Sequence, residues 1–212
     1  MKNFILLFTF IFINNYVYAQ WFLQNPLPTG NSLDGVFFSD TNNGTAIGSL
    51  GTILRTTNGG INWIIQTSGT SKFLVGVSFT DANNGTIVGW DGLIIRTTNG
   101  GINWIFQTSG TENPLSGVSF TDEYNGTAVG NLGTILRTTN GGINWISQTS
   151  GTTNWLGGVS FTDTNNGIAV GNNGTILRTS NGGINWFNQP SGTSNSLFGV
   201  TFTNANNGKN GK

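Results

Sequence analysis

The sequence predicts an all-β chain, a β-propeller or propeller-like array of four-stranded antiparallel blades. Three observations carry that expectation: a strict internal repeat, short alternating apolar runs, and turn residues between them. Leu33, Leu74, Leu115, Leu156 and Leu197 stand 41 residues apart, with no insertion or deletion between copies. A fixed period of this length is the mark of a repeat architecture. The complete copies are 33–73, 74–114, 115–155 and 156–196, and 197–212 begins a fifth.

The third copy shows how one unit divides. Gly117-Val118-Ser119-Phe120 alternates and reads as a first strand. The turn Thr121 to Gly126 leads into a second strand, Thr127 to Gly130, and Asn131-Leu132-Gly133 turns into a third, Thr134 to Thr138. Asn140-Gly141 is the dipeptide that favours a type I′ hairpin, and Ile143 to Ile146 reads as the fourth strand. Four antiparallel strands in about 41 residues match one propeller blade. Closure does not follow from the pattern. Trp21 to Gln24 reads as a fourth strand without its own blade, and Gly199 to Phe202 as a first strand. Those pieces can share a blade, but an open or truncated array fits the count as well.

The first 19 residues stand outside the repeat. Lys2 precedes the apolar run Phe4 to Ile13, and Val17-Tyr18-Ala19 forms a small-residue cleavage site. That is the pattern of a secretory signal peptide, cut after Ala19, and its apolar run is too short to span a membrane. The repeat domain is then 20–212, secreted, periplasmic or at the cell surface, with no transmembrane segment after cleavage.

Composition narrows the chemistry. The 212 residues include no Cys and no His, and eight basic residues balance eight acidic ones. No thiolate nucleophile, imidazole base or soft-ligand zinc site is available, so no metal or other cofactor is expected. Nucleic acid is not an expected partner either, because that needs clustered basic residues.

Thr56-Thr57-Asn58-Gly59-Gly60-Ile61-Asn62-Trp63 recurs at 97–104, at 138–145 and, with Ser180 in second place, at 179–186. It resembles the Asp-box, or bacterial neuraminidase repeat, of pattern Ser/Thr-x-Asp-x-Gly-x-x-Trp. Each copy has Asn in place of the Asp: Asn58, Asn99, Asn140 and Asn181. Residues 76–85 and 129–138 together carry a fuller phrase, Gly-Val-Ser-Phe-Thr-Asp-x-Asn-Asn-Gly and then Val-Gly-x-x-Gly-x-Ile-Leu-Arg-Thr. That phrase resembles the photosystem II assembly and stability factor family across nearly all of 33–208. The resemblance implies a non-enzymatic propeller that binds or chaperones other proteins, and it does not imply photosynthesis.

Recurring residues are read first as construction. Trp63, Trp104, Trp145 and Trp186 can each bury about 150–250 Å², which fits blade packing. Arg55, Arg96, Arg137 and Arg178 recur near Asp40, Asp81, Asp122 and Asp163. They are expected either to latch to those carboxylates or to form a basic ring for an acidic partner. Asp81 to Gly85 reads as turn chemistry rather than a calcium loop, because no Glu stands at the twelfth position.

Specificity is expected where the copies differ, in the second-to-third and fourth-to-first loops on the opposite face. The candidates there are Lys72, Phe73, Trp90, Asp91, Glu112 and Trp155. Aromatic side chains among polar loops suit a protein partner or a cell-surface glycan. The enzyme alternative is a sialidase-like glycoside hydrolase, with Asp91 and Glu112 as its carboxylates. The arginines are spread around the blades and the lone mature-chain tyrosine, Tyr124, lies on the other face, so no enzyme is expected.

Overall fold

The structure is a computed structural model that describes residues 28–202. Trp21 to Gln24 and the leader segment 1–19 lie outside the described residues. Four sheets follow one another along the chain, each of four antiparallel strands paired in sequence order. The first blade holds β1 (Leu33–Phe38), β2 (Gly44–Gly48), β3 (Ile53–Thr56) and β4 (Ile64–Gln66). The second holds β5 (Leu74–Phe79), β6 (Gly85–Gly89), β7 (Ile94–Thr97) and β8 (Ile105–Gln107). The third holds β9 (Leu115–Phe120), β10 (Gly126–Gly130), β11 (Ile135–Thr138) and β12 (Ile146–Gln148). The fourth holds β13 (Leu156–Phe161), β14 (Gly167–Gly171), β15 (Ile176–Thr179) and β16 (Phe187–Asn188). Among the described residues the array is open. Of the fifth unit, Phe202 alone makes an isolated bridge.

First strands line the inside and touch their counterparts in the next blade. The approach is close enough to require glycine: a methyl group on Gly76 would stand 3.0 Å from the Ser116 carbonyl oxygen and 3.2 Å from Gly117 Cα. Two strands further along, each blade lends an aliphatic pair to the next. Ile47 and Ile53 pack on Leu74, Phe79, Ile87, Ile95 and Trp104, and Val88 with Ile94 does the same one blade later.

The hairpin between third and fourth strands differs from the expected type I′ turn. Asn140 is not left-handed; Gly141 (φ 69°) and Gly142 (φ 85°) are. Side chains hold the turn instead: Thr138 Oγ1 accepts the Gly142 N–H at 2.8 Å, and Asn140 Oδ1 accepts the Asn144 N–H at 3.0 Å. These bonds extend the turn through Asn144, so β12 starts at Ile146 and Trp145 precedes the strand rather than lying in it. Asn140 accepts this backbone bond with its amide oxygen, so the position needs an acceptor and not a charge.

Arg–Asp latching is not what the structure shows. Arg55 donates to the Ala82 carbonyl at 2.7 Å, Arg96 to Glu123 at 2.8 Å and Arg137 to Thr164 at 3.0 Å, each acceptor lying in the next blade. All three are buried and sit over the next blade's Phe ring, at 5.4, 5.0 and 5.2 Å from its centroid. Burial lowers the guanidinium pKa of Arg137 and the Asp122 charge opposes that shift. The aspartates serve their own turns: Asp81 accepts the Asn83 N–H at 2.7 Å and the Asn84 N–H at 2.9 Å.

Arg178 is exposed, and its counterpart of Thr127 is Ile168, which offers no hydroxyl. Arg96→Ala therefore lowers stability by about 2–3 kcal/mol, whereas Arg178→Ala changes it by about 0.5 kcal/mol or less, compared by urea unfolding. Acid acts through the turns. Asp40 is held below its ordinary pKa by the Asn42 N–H and the Asn43 side chain, and Asp163 by the Asn166 side chain and the Asn165 N–H. A carboxylate with a depressed folded pKa stabilises fully above the unfolded value and loses that effect as pH falls through the folded one. The melting temperature should thus hold down to about pH 5 and fall below about pH 4, less steeply in Asp163→Asn.

Candidate functional site

Each second-to-third loop is bound to the preceding fourth-to-first loop by the same backbone hydrogen bond. The bonds are Ser49 N–H to Ser32 O, Trp90 N–H to Phe73 O, Asn131 N–H to Pro114 O and Asn172 N–H to Trp155 O, at 2.9–3.0 Å. The loop tips are left-handed at Leu50, Asp91, Leu132 and Asn173, with φ of 54–56°. For a residue other than glycine this conformation is costly, and such strain gathers at functional surfaces. It turns the Leu50 and Leu132 side chains out to solvent.

Three of the four units add a side-chain tie between the same loops. Asn31 donates to Thr52 Oγ1, Asn113 to Thr134 Oγ1 and Asn154 to Thr175 Oγ1, at 2.8–2.9 Å. The second blade carries Lys72 and Leu93 at those positions. Here Lys72 Nζ stands 3.4 Å from Asp91 Oδ2, and Phe73 stacks on Trp90 with centroids 4.9 Å apart and planes at 26°. Trp90 remains 51% exposed. The result is a flat aromatic pair flanked by one cation and one anion.

Four of the six candidates therefore meet at one place. Glu112 joins Lys72 and Asp91 at a neighbouring groove of about 440 Å³, with Gln107, Ser109 and Thr111 on its walls. Trp155 is a different case. Its indole N–H donates to Ser116 Oγ at 2.7 Å, its ring lies edge-on to Phe198 at 5.7 Å, and it covers Gly157. No hydrogen bond or ring contact links it to the Phe73–Trp90 stack among the described residues. The recurring Trp104, Trp145 and Trp186 are buried, each set edge-on against the first-strand Phe of its own blade. Trp63 does the same with Phe38. Asn58, Asn99, Asn140 and Asn181 each bond within their own hairpin. The basic ring does not form as an open surface, because Arg55, Arg96 and Arg137 are spent between blades.

Sequence reading missed two recurring residues. Gln66, Gln107 and Gln148 accept the next blade's Trp Nε1–H at 3.1–3.4 Å and donate to a glycine carbonyl beside it. Ser78, Ser119 and Ser160 accept the N–H of the next first-strand Phe at 3.1–3.2 Å. Their 41-residue recurrence was the available signal. Among the described residues no three His, Cys, Asp or Glu side chains gather to hold a metal, and no helix is long and apolar enough to cross a membrane.

Fold and repeats together define a β-propeller array of BNR-type units, open among the described residues. The profile of the photosynthesis system II assembly factor YCF48 family matches residues 13–105 and 64–148, well over half of the chain, and the chain belongs to that family. Among solved structures it is similar to YCF48 bound to a D1 peptide, at 23% identity and a TM-score of 0.67, over 84% of this chain and 59% of that one. It thus spans 59% of that chain's length. YCF48 from Cyanidioschyzon merolae matches at 17% identity and TM-score 0.52, over 86% of this chain and 93% of the other. The GH74 enzyme of Niastella koreensis matches at 16% and 0.60, over 77% and 32%. At these identities the likeness shows the fold alone. No curated protein matches the chain by sequence.

Exposure separates the two odd tryptophans. Trp155→Ala should lower the melting temperature by several degrees, a loss of about 2–4 kcal/mol, and Trp90→Ala should leave it within about 1–2 °C of wild type, measured by calorimetry.

Proposed function

We propose that this chain is an exported, non-catalytic propeller scaffold that captures a protein partner with the divergent-loop face of its second blade. The observation that carries this reading is the exposed Phe73–Trp90 stack with the Lys72–Asp91 pair beside it. An aromatic surface with both signs of charge at its rim suits an extended peptide. Apolar side chains of the peptide lie on the rings, and charged ones exchange with Lys72 or Asp91. Family membership supports the reading, and so does a structurally similar protein, YCF48, that holds a D1 peptide.

The non-catalytic part rests on the carboxylates. Asp91 is paired with a lysine, and Glu112 lies across an open groove. Neither sits in a closed apolar pocket of the kind a general-acid carboxyl occupies. Export rests on the leader pattern of residues 1–19, and N-terminal sequencing of the secreted protein should begin at Gln20.

Binding to arrayed peptides and arrayed glycans tests the partner class. Peptide binding that weakens at least about tenfold in a Phe73→Ala, Trp90→Ala variant with unchanged melting temperature is the expected result. The same stack also suits a sugar ring. Loss of glycan binding in that variant, with no peptide retained by wild type, would make the protein a carbohydrate-binding module. Glycoside turnover that disappears in Asp91→Asn, Glu112→Gln would make it a hydrolase.

A further inference from the structure

The surface on which each blade receives its predecessor is present on the first blade with no other blade placed on it among the described residues. Leu33 and Phe38 are 48% and 44% exposed, while their counterparts Leu74 and Phe79 are 0% and 5%. Leu33, Val36, Ala46, Leu54 and Trp63 line an apolar groove of about 470 Å³, and Phe38 stands edge-on to Trp63 beside it. The other blades show what fills such a groove. It is an aliphatic pair: Ile47 and Ile53 on the second blade, Val88 and Ile94 on the third, Val129 and Ile135 on the fourth.

The matching pair of the fourth blade is Val170 and Ile176, on the opposite end of the array. Around it stand the donors and acceptors that every other blade uses on its successor. Arg178 is exposed and without a hydrogen-bond partner among the described residues. The Gln189 amide turns back onto the Phe187 and Asn188 carbonyls at 3.3 and 3.1 Å. Part of this end is covered by segment 197–202, held by Leu197 N–H to Gly171 O at 3.0 Å and Phe202 N–H to Ser160 Oγ at 3.2 Å. That segment stands where a first strand would stand. It brings no second, third or fourth strand within the described residues, so the outer half of the surface stays open.

We propose that the first blade of one copy docks on the fourth blade of a second copy, with β1 taking the place of segment 197–202. The occupant is fixed by the repeat, because both halves of the contact are already formed three times within the chain. Counting in steps of 41 assigns the pairs: Arg178 to the Thr41 carbonyl and over the Phe38 ring, Gln189 to Trp63 Nε1 and the Gly59 carbonyl, and Ser160 Oγ to the Phe38 N–H. Leu197, Gly199, Val200 and Phe202 stand at the positions of Leu33, Gly35, Val36 and Phe38, so the exchange keeps the inner contact and adds the outer one. The contact is heterologous. It closes into a ring if the rotation allows and otherwise extends into a longer array. It lies away from the Phe73–Trp90 site and stands independently of the function proposed above.

Sedimentation velocity on the full chain tests it, over a concentration range of about two orders of magnitude. The mass should rise from one copy towards two or more. Phe38→Glu and Arg178→Glu, each still melting cooperatively, should stay monomeric alone, and an equimolar mixture of the two should form a 1:1 dimer. Phe202→Ala, which loosens the competing segment, should move assembly to lower concentration. Trp90→Ala should leave the mass distribution unchanged. The proposal is overturned if wild type and Phe202→Ala both remain monomers throughout, if association survives both charge variants, or if the mixture fails to dimerise.

Discussion

The grip between neighbouring blades is the interaction on which the rest of the structure depends. A blade of four short strands has too little apolar surface to stand alone, since its core is completed by side chains of the preceding blade, as Ile47 and Ile53 complete that of the second. Each junction combines an aliphatic pair in the next blade's aromatic groove with an arginine tie and a glutamine tie. The later junctions add a serine tie that the first lacks because Phe37 stands there. A guanidinium reaches a carbonyl 27 residues on, a glutamine meets a tryptophan 38 residues on, and a serine takes an N–H from 42 residues on. The arginine and glutamine separations are the same at all three described junctions, and the serine separation is the same wherever the serine is present. That uniformity explains why the copies carry no insertion or deletion: one extra residue in any unit would move a buried arginine off its carbonyl. An arginine so displaced would be a buried cation without its acceptor, the costliest kind of error.

The repeat, the strand order and the division into two faces could all be read from the sequence. Alternation and turn residues are local, and a strict period averages away their ambiguity. Two features escaped for opposite reasons. The arginine acceptors are the backbone carbonyls of Ala82, Glu123 and Thr164, three unrelated residue types, so nothing at the acceptor positions marks them. The nearby aspartates were visible as charges and invited a salt bridge, yet backbone amides had already claimed them. Gln107 and Ser119 recur as faithfully as the tryptophans. Polar residues in a Thr- and Ser-rich chain do not stand out unless a partner one blade away is known.

The candidate site shows the same boundary. Lys72, Phe73, Trp90 and Asp91 could be singled out as departures from the repeat, and they do converge, because their loops are joined by a fixed backbone bond. Trp155 departs from the repeat in the same way, but it met a serine hydroxyl on the third blade and a small residue, Gly157, beneath its ring. Whether an unusual aromatic is displayed or absorbed depends on its neighbours across a blade junction. That information is long-range, and a single unit of the repeat does not contain it.

The location of variation follows from how each face is bonded. On the hairpin face, side chains of one blade hold the backbone of the next, so a substitution there loosens a junction. On the divergent face the loops are joined by backbone bonds that do not depend on side-chain identity, and the added Asn–Thr tie joins one side chain of the loop entering a blade to one of that blade's own second-to-third loop. Such a tie can be replaced as a pair without disturbing either neighbour. The second blade has done this, exchanging the amide–hydroxyl bond for an ion pair and an aromatic stack. An exposed ion pair contributes only about 0–1 kcal/mol, and an aromatic pair about 0.5–1.5 kcal/mol, against about 1 kcal/mol for the bond given up. The exchange is close to neutral for stability. What it changes is the surface: a small polar patch becomes a half-exposed aromatic plate, which stability alone does not require and recognition does.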